Sequence, residues 1–255
     1  MTLSDADIEA VERATLQAVA PDQLYEQAGW LLPMDHGTVG RARSAVPLSH
    51  ELADTAVLDT IVQAYRRHGF PPAFRLPDLP TFEGLHGRLA DMGFVREQPT
   101  LTQWGLVSDL LAVHPGPAAD LADAPDAHWM AMFLGAGLDP VDGASRARSL
   151  ARATGTRYAS VCDIDGTGEM QACCAASFSH GWLGVHGMRT AASQRGRGLA
   201  ARLLHTMALE ARCRGIERVF LQVDVHNAPA LALYRRAGFQ TAWPYAYWRL
   251  PAGTA

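Results

Sequence analysis

The order of a helix, a glycine, a strand, a second helix and a Gly-Phe pair occurs twice in this chain, and this repetition restricts the possible folds more than any other feature. The segment AYRRHGFPPAFRL at 64–76 aligns with EARCRGIERVFLQ at 210–222, and LHGRLADMGF at 85–94 aligns with LALYRRAGF at 231–239. Repetition of a supersecondary unit at a fixed separation indicates internal duplication. We therefore predict two related halves. The matched pairs are Gly69 with Gly215, Phe74 with Phe220 and Gly93 with Gly238, which lie 145 or 146 residues apart.

Hydrophobic periodicity in the second half predicts helices, then a strand meander, then alternating strands and helices. This order is typical of a mixed α/β fold of the α+β type, with a central mixed sheet flanked by helices. We predict a first domain at 1–111, an exposed connector at 112–127 that is rich in proline and aspartate, and a second domain at 128–255. The predicted helices span 128–136, 142–153, 197–214 and 228–237; the strands span 156–163, 168–178, 182–190, 217–225 and 239–249, with DGTG at 165–168 as a hairpin turn.

Composition excludes several functional classes. The net charge is −4, so no basic field attracts nucleic acid or anionic lipid. All 22 basic residues are arginine, which excludes the lysine-dependent P-loop and Schiff-base chemistries. The four cysteines lack metal-ligand or disulfide-like spacing, and no metal is predicted. With no apolar run long enough for a membrane span and an acidic, helical start, we expect a cytoplasmic protein without a leader peptide.

A short loop, QRGRGLA at 194–200, joins the strand that ends near Thr190 to the helix that begins near 197. Backbone N–H groups at a helix N-terminus bind anions, and glycines let a phosphate approach the backbone closely. Arg195 and Arg197 add charge and forked donors. The loop therefore predicts a phosphate or pyrophosphate ligand. A surface turn with arginines in solvent is the alternative interpretation of the loop alone.

The segment downstream of the loop, LQVDVHNAPALALYRRAGF at 221–239, contains a second motif. The order of the two motifs and the distance between them match those of a known family. With both motifs, residues of about 128–255 resemble the GNAT superfamily of N-acetyltransferases. The resemblance implies a GNAT-like second half with two splayed parallel strands, preceded by a degenerate GNAT-like first half. The residues that carry the second motif are Asn227, Ala230, Leu233, Tyr234, Gly238 and Phe239.

The resemblance also implies a cofactor and its contacts. Acetyl-CoA, as co-substrate, would lie in the opening between the strands at 182–190 and 217–225. Main-chain groups of Met188, Arg189 and Thr190 would pair with the pantetheine arm, and Asn227 would hold the pantetheine side of the pocket. The pyrophosphate would lie on the backbone of the loop, formed by Arg195, Gly196, Arg197, Gly198, Leu199 and Ala200.

The resemblance places Tyr234 among the cofactor-binding residues and also matches it to the general acid of the family, since a phenol can protonate a departing thiolate. The base is open. The segment looks like ribosomal-protein N-terminal acetyltransferases, which have a glutamate where this chain has Gln222. Strand alternation puts Asp224 on the face of Gln222, so Asp224 could act through water. His186, His226 and a water chain without a dedicated base are the alternatives.

The first half lacks the residues that the motif requires both for phosphate binding and for the general acid. SHELAD at 49–54 stands where the second half has its glycine-arginine loop, and Leu89 stands where it has Tyr234. We therefore expect that the first half has lost acyl-CoA binding. The alternative is that it was never a GNAT domain, only an α/β cap of similar order.

The resulting functional hypothesis is acetyl transfer from acetyl-CoA to a primary amine of a small molecule or a peptide. The alternatives are a larger acyl group, an N-terminal protein acetyltransferase, and a non-catalytic acyl-CoA-binding regulatory module. No nucleic-acid or membrane partner is expected, and the oligomeric state is left open.

Overall fold

The computed structural model describes residues 3–51, 54–113, 117–135, 137–163 and 168–251. The helices are α1 (Asp5–Val19), α2 (Val57–Arg67), α3 (Glu83–Asp91), α4 (Val107–Ala112), α5 (Ala127–Ala131), α6 (Pro140–Arg152), α7 (Leu199–Cys213) and α8 (Ala228–Arg236). The strands are β1 (Gln23–Gln27), β2 (Trp30–Met34), β3 (Val46–Pro47), β4 (Ala73–Pro77), β5 (Val95–Leu106), β6 (Asp120–Ala122), β7 (Thr156–Cys162), β8 (Met170–Ser179), β9 (Trp182–Thr190), β10 (Arg218–Asp224) and β11 (Gln240–Arg249).

The strands form two sheets. A small antiparallel sheet has the order β1-β2-β3, and an eight-stranded sheet has the order β4-β11-β5-β10-β9-β8-β7-β6. Within the larger sheet, β9 and β10 pair in parallel, and the other neighbours pair antiparallel. The mixed α/β fold predicted from the sequence is confirmed.

The repeated units α2-β4-α3-β5 and α7-β10-α8-β11 exchange their last strands. β11 pairs with β4 of the first half, and β5 pairs with β10 of the second half. Both helix ends use the same device: Phe70 N–H donates to the carbonyl of Tyr65 and Ile216 N–H to that of Ala211, each across a left-handed glycine. The two halves therefore share one sheet and one hydrogen-bond network.

This exchange crosses the predicted domain limits of 1–111, 112–127 and 128–255, which stay a prediction. Part of the segment predicted as an exposed connector forms β6, the edge strand that pairs with β7. The helix predicted at 128–136 is shorter, since α5 ends at Ala131. The hairpin turn predicted at 165–168 lies outside the described residues except for Gly168.

Helices cover both faces of the second half of the sheet. α7 packs its apolar side on β7, β8 and β9, whereas α1, α5 and α6 lie across the opposite face. α1 belongs to the first half, yet its Ile8 and Val11 share a core with Trp182 and Phe220 of the second half. Within the described ranges, none of the helices combines the length and the apolar character that a bilayer crossing requires.

A buried ion pair holds α1 to the sheet. The guanidinium of Arg75 on β4 donates to both carboxylate oxygens of Glu12, and both side chains are 1% exposed. Burial alone would lower the pKa of Arg75, but the carboxylate of Glu12 raises it overall, so the guanidinium keeps its charge. Among the described residues, Glu12 and Arg75 have each other as ion-pair partner, so removal of one leaves a buried charge without a counter-ion.

We expect Glu12→Gln to lower the free energy of unfolding by about 3–5 kcal/mol, because Arg75 keeps its charge without a counter-ion. The matched control is Asp59→Asn in the exposed pair of Asp59 and Arg88, which should cost less than about 1 kcal/mol. Urea denaturation followed by fluorescence measures both values. Equal costs for the two variants would contradict the assigned role of the buried pair.

Candidate acyl-CoA and acceptor site

The parallel strands β9 and β10 stay together for only four residue pairs. Their register runs from Trp182 opposite Arg218 to Val185 opposite Leu221, and then the strands separate. Beyond this point β9 continues along β8 and β10 continues along β5. Among the described residues, no strand pairs with the edge of β9 that faces the gap. The splayed parallel strands that the sequence resemblance implied are therefore present.

A β-bulge in β9 lies at the point of separation. The register with β8 shifts between Ala175 opposite His186 and Cys173 opposite Arg189, so two residues of β9 face one residue of β8. Gly187 in the bulge has a φ of +59°. A Cβ atom there would lie 2.6 Å from Leu150 Cδ1 and 2.9 Å from Phe133 Cζ. Both the conformation and the space require glycine.

The loop after β9 leads into α7 with two left-handed glycines. Gly196 has a φ of +76° and Gly198, the N-cap of α7, has a φ of +77°. An added Cβ at either glycine would meet nothing within 4 Å, so the glycines are needed for the backbone turn and not for packing. No side chain caps the helix. The first N–H groups of α7 therefore have no side-chain cap, and the side chains of Arg195 and Arg197 in the preceding loop are exposed.

Tyr234 lies on α8 at the gap, on the side of the sheet that α7 covers. Its hydroxyl donates to the thioether sulfur of Met188 at 3.9 Å, and its ring packs edge-on against Phe239. Burial raises the pKa of Tyr234 to about 12. The phenol therefore keeps its proton throughout the neutral range. In this pocket the hydroxyl is already directed toward a sulfur atom.

His186 lies on the opposite face of β9 and is 2% exposed. Its Nε2 is 2.9 Å from the hydroxyl of Ser177, and its ring packs edge-on against Phe220. Gly184 makes room for this pair, since a Cβ there would lie 2.4 Å from either polar atom. Burial, together with the positive charge of Arg41, lowers the pKa of His186 to about 3. Its imidazole is therefore neutral and a weak proton acceptor.

Gln222 on β10 is held at both ends by residues of the first half. Its Oε1 accepts a hydrogen bond from Arg41 at 2.6 Å, and its Nε2 donates to Thr15 Oγ1 at 2.8 Å. Arg41 comes from the 3₁₀ turn Gly40–Arg43. The sequence marked Gln222 as a departure from a glutamate; the structure shows that this position joins the two halves.

The other predicted polar residues lie where β10 passes into α8. Asp224 Oδ1 accepts the backbone N–H of His226 at 2.8 Å. Asn227 is the N-cap of α8, and its side-chain oxygen accepts from Ala230 N at 3.2 Å. The structure therefore gives Asn227 a capping role, which leaves its amide nitrogen for a ligand. Within the described residues, no hydrogen bond joins Asp224 to either Tyr234 or His186.

Arg189 lies at the far end of β9, on the face covered by α5 and α6. Its guanidinium stacks over Phe133 at 5.0 Å from the ring centroid and donates to the carbonyl of Met188 at 3.3 Å. Burial and the neighbouring Arg146 lower the pKa of Arg189. Asp142 at the start of α6 pairs with Arg146 at 2.6 Å and accepts the hydroxyl of Thr38 at 2.7 Å. This corner therefore joins the end of β9, α6 and the first half.

The first half lacks both the tyrosine and the glycine-containing loop at the positions equivalent to Tyr234 and Gly198. Leu89 accepts from Phe94 N as Tyr234 accepts from Phe239 N, so the two side chains occupy equivalent places in the repeat. α2 begins after Ala56, whose backbone is right-handed helical, not after a left-handed glycine. In the ranges that the structure describes, no three His, Cys, Asp or Glu side chains come together in a way that could hold a metal ion.

The family model described as the C-terminal part of the probable histone acetyltransferase Rv0428c matches residues 5–248. The chain belongs to this family. The Mycobacterium tuberculosis protein named probable histone acetyltransferase Rv0428c is 29% identical over 243 residues, which are 92% of this chain and 71% of the relative.

Solved structures with the same fold carry GNAT names. A GCN5-related N-acetyltransferase from Kribbella flavida covers 96% of both chains with a TM-score of 0.68 at 19% identity. A tandem GNAT protein from the clavulanic acid biosynthesis pathway covers 99% of this chain and 98% of its own, with a TM-score of 0.63 at 17% identity. Membership of the GNAT superfamily, predicted from two motifs, is confirmed, and the fold and family names support acetyl transfer as the general activity.

Several residues around the candidate site could not be predicted from the sequence. Arg41 and Thr15 reach Gln222 from the first half, and Phe133 supports both Gly187 and Arg189. Arg41 lies in the segment GRAR, which has no motif. Trp129, in the predicted helix at 128–136, is buried against Phe133.

We expect Gly187→Ala to lower the free energy of unfolding by about 2–4 kcal/mol, because it adds a clash to the strain of a left-handed residue. Gly181→Ala is the matched control: Gly181 has a φ of +77° but open space around a Cβ, so only the strain of about 1–2 kcal/mol applies. Urea denaturation compares the two. A Gly187 variant no less stable than the control would show that the bulge adapts without cost.

Proposed function

We propose that this protein is an acetyl-CoA-dependent N-acetyltransferase that acetylates a primary amine of a small molecule or peptide by direct transfer. The separation of β9 from β10, with a glycine-capped α7 at the end of β9, carries this proposal. It offers an unpaired strand edge and a helix N-terminus next to one another. An extended, amide-containing arm can pair with the strand edge, and a pyrophosphate can accept hydrogen bonds from the N–H groups of the helix N-terminus.

In this proposal the diphosphate of acetyl-CoA binds the loop between Arg195 and Ala200. The open N–H groups at the start of α7 donate to it, and the arginines supply charge. The pantetheine amides pair with the backbone of β9 at Met188, Arg189 and Thr190, as a strand would. Asn227 offers its amide nitrogen from the opposite side of the gap. A backbone N–H near the bulge would polarise the thioester carbonyl.

The transfer forms a C–N bond and breaks a C–S bond. The neutral amine attacks the thioester carbonyl, the tetrahedral intermediate collapses, and CoA leaves as a thiolate that takes a proton. Tyr234 is the proposed donor of that proton. Its raised pKa keeps the phenol protonated, and its hydroxyl is directed toward the sulfur of Met188 on β9. The attacking amine loses a proton as the new C–N bond forms, and the route for this proton is considered next.

Asp224, acting through water, is the proposed route for the ammonium proton. Asp224 follows Gln222 by two residues on β10, and its Oδ1 accepts one backbone N–H. His186 is the weaker candidate, because its buried imidazole holds a proton poorly. Gln222 cannot take a proton at all, and its amide is occupied by Arg41 and Thr15. No glutamate is required at that position for this route.

We expect Tyr234→Phe to lower kcat by about 100-fold or more, because the leaving thiolate loses its proton donor. Release of free CoA thiol in the presence of an amine panel measures kcat, and calorimetry should show little change in the Kd of acetyl-CoA. Tyr25→Phe on β1, which removes an exposed hydroxyl, is the control. Equal rates for the Tyr234 variant and the wild type would exclude Tyr234 as the acid. A wild-type protein that binds acetyl-CoA but acetylates nothing would favour the non-catalytic alternative.

We expect the double variant Arg195→Gln with Arg197→Gln to raise the Kd of acetyl-CoA at least about tenfold, because two charged hydrogen-bond donors to phosphate are lost. The salt dependence of binding should weaken in parallel. The matched control removes the same number of exposed charges from the equivalent half, with Arg66→Gln and Arg67→Gln at the end of α2. If both double variants bind acetyl-CoA as the wild type does, the diphosphate does not lie on this loop.

A further inference from the structure

Arg41 places an uncompensated positive charge beside the gap between β9 and β10. One of its nitrogens donates to Gln222 on β10, and its charge acts on His186 on β9. No carboxylate of a described residue forms an ion pair with it. The side chain is half-buried, and none of its remaining nitrogens is sealed from solvent without a partner. Most of its donors are therefore open to a ligand.

The residue at 222 determines whether the charge of Arg41 is neutralised. A carboxamide oxygen accepts one hydrogen bond but carries no charge, whereas a carboxylate at the same place would form an ion pair. The bond from Gln222 Nε2 to Thr15 Oγ1 orients the amide so that its oxygen faces Arg41. Gln222 thus positions the guanidinium and leaves its charge available.

The neighbouring wall is also rich in arginine. Arg189 stacks on Phe133 and forms no ion pair with a described carboxylate, while Asp142 is already paired with Arg146. Thr38, three residues before Arg41, is bonded to the same Asp142, so the turn that carries Arg41 and the start of α6 meet here. The unpaired charges along this wall are positive. The free carboxylate of the region, Asp224, lies at the other side, where β10 ends.

We propose that the acceptor is a primary amine that also carries a carboxylate, and that Arg41 binds this carboxylate and determines acceptor specificity. This inference rests on the proposed acetyl transfer. Arginine presents a planar fork that matches a carboxylate, and a half-buried site strengthens the interaction. The amine end is then directed toward the gap and Asp224. A lysine-rich tail would bring further positive charge to this wall and is disfavoured.

The test uses acceptors that differ by one charge. An amino acid and its α-amide are compared by release of CoA thiol with the wild-type protein, and an acidic dipeptide is paired with its amide in the same way. We expect the KM of the carboxylate member to be about 10- to 100-fold lower than that of the amide. In Arg41→Gln this preference should disappear. In Gln222→Glu it should weaken as well, because the new carboxylate pairs with Arg41.

Arg148→Gln, which removes an exposed arginine from α6, is the control for charge alone and should keep the preference. Unchanged Kd values for acetyl-CoA show that the variants are folded. Where no acceptor turns over, calorimetric binding of the same pairs to the acetyl-CoA complex answers the same question.

Acetylation or binding of both members with equal KM or Kd would overturn the inference and leave the proposed function in place. A preference that survives in Arg41→Gln would overturn the role of Arg41. Failure to bind acetyl-CoA at all would remove the proposed function itself, and the inference with it. A preference lost in Arg41→Gln and weakened in Gln222→Glu, with the control unchanged, would support it.

Discussion

Separation of β9 from β10 after Val185 and Leu221 is the constraint on which the site depends. A backbone edge without a partner inside a sheet is costly unless water or a ligand satisfies it. Here the bulge at Gly187 turns β9 away, and each strand keeps its outer neighbour, so only the facing edges are left open. The gap therefore has rigid walls and unsatisfied backbone groups, a combination suited to a ligand that is itself chain-like.

Strand exchange between the two repeats explains why a half without its own phosphate loop is retained. β5 of the first half pairs with the full length of β10, and α1 packs on the core of the second half. The first half thus supports one side of the gap directly. It also supplies Arg41 and Thr15, which fix Gln222 in place. In the proposed function, the first half forms one wall of the acceptor cleft.

Local features of this fold could be predicted from the sequence, and pairings across the chain could not. The repeated glycines at Gly69 and Gly215 end their helices as expected, because a left-handed C-terminal residue is a local requirement. Tyr234 and Leu89 occupy equivalent places because each precedes, in its own repeat, the glycine that follows the end of the helix. Periodicity predicts that 239–249, the segment of β11, is a strand but not which strands lie beside it, so the exchange could not be predicted.

In the candidate site, too, local features could be predicted and contacts between distant residues could not. QRGRGLA predicted a turn into a helix, which depends on neighbouring residues alone. The contact between Arg41 and Gln222 joins positions 181 residues apart and has no local signal. His186 was placed correctly on a strand, but its pKa is lowered by burial and by the positive charge of Arg41, which approaches from the first half. Burial of a polar residue is a tertiary property.

Hydrogen–deuterium exchange with and without acetyl-CoA tests the central claim most directly. If acetyl-CoA lies in the gap, amides of 187–200 should be protected on binding, and the segment 48–57 at the equivalent place in the first half should be unchanged. Protection of the first-half segment, or of neither segment at saturating acetyl-CoA, would contradict the assignment of the gap between β9 and β10 as the acyl-CoA site.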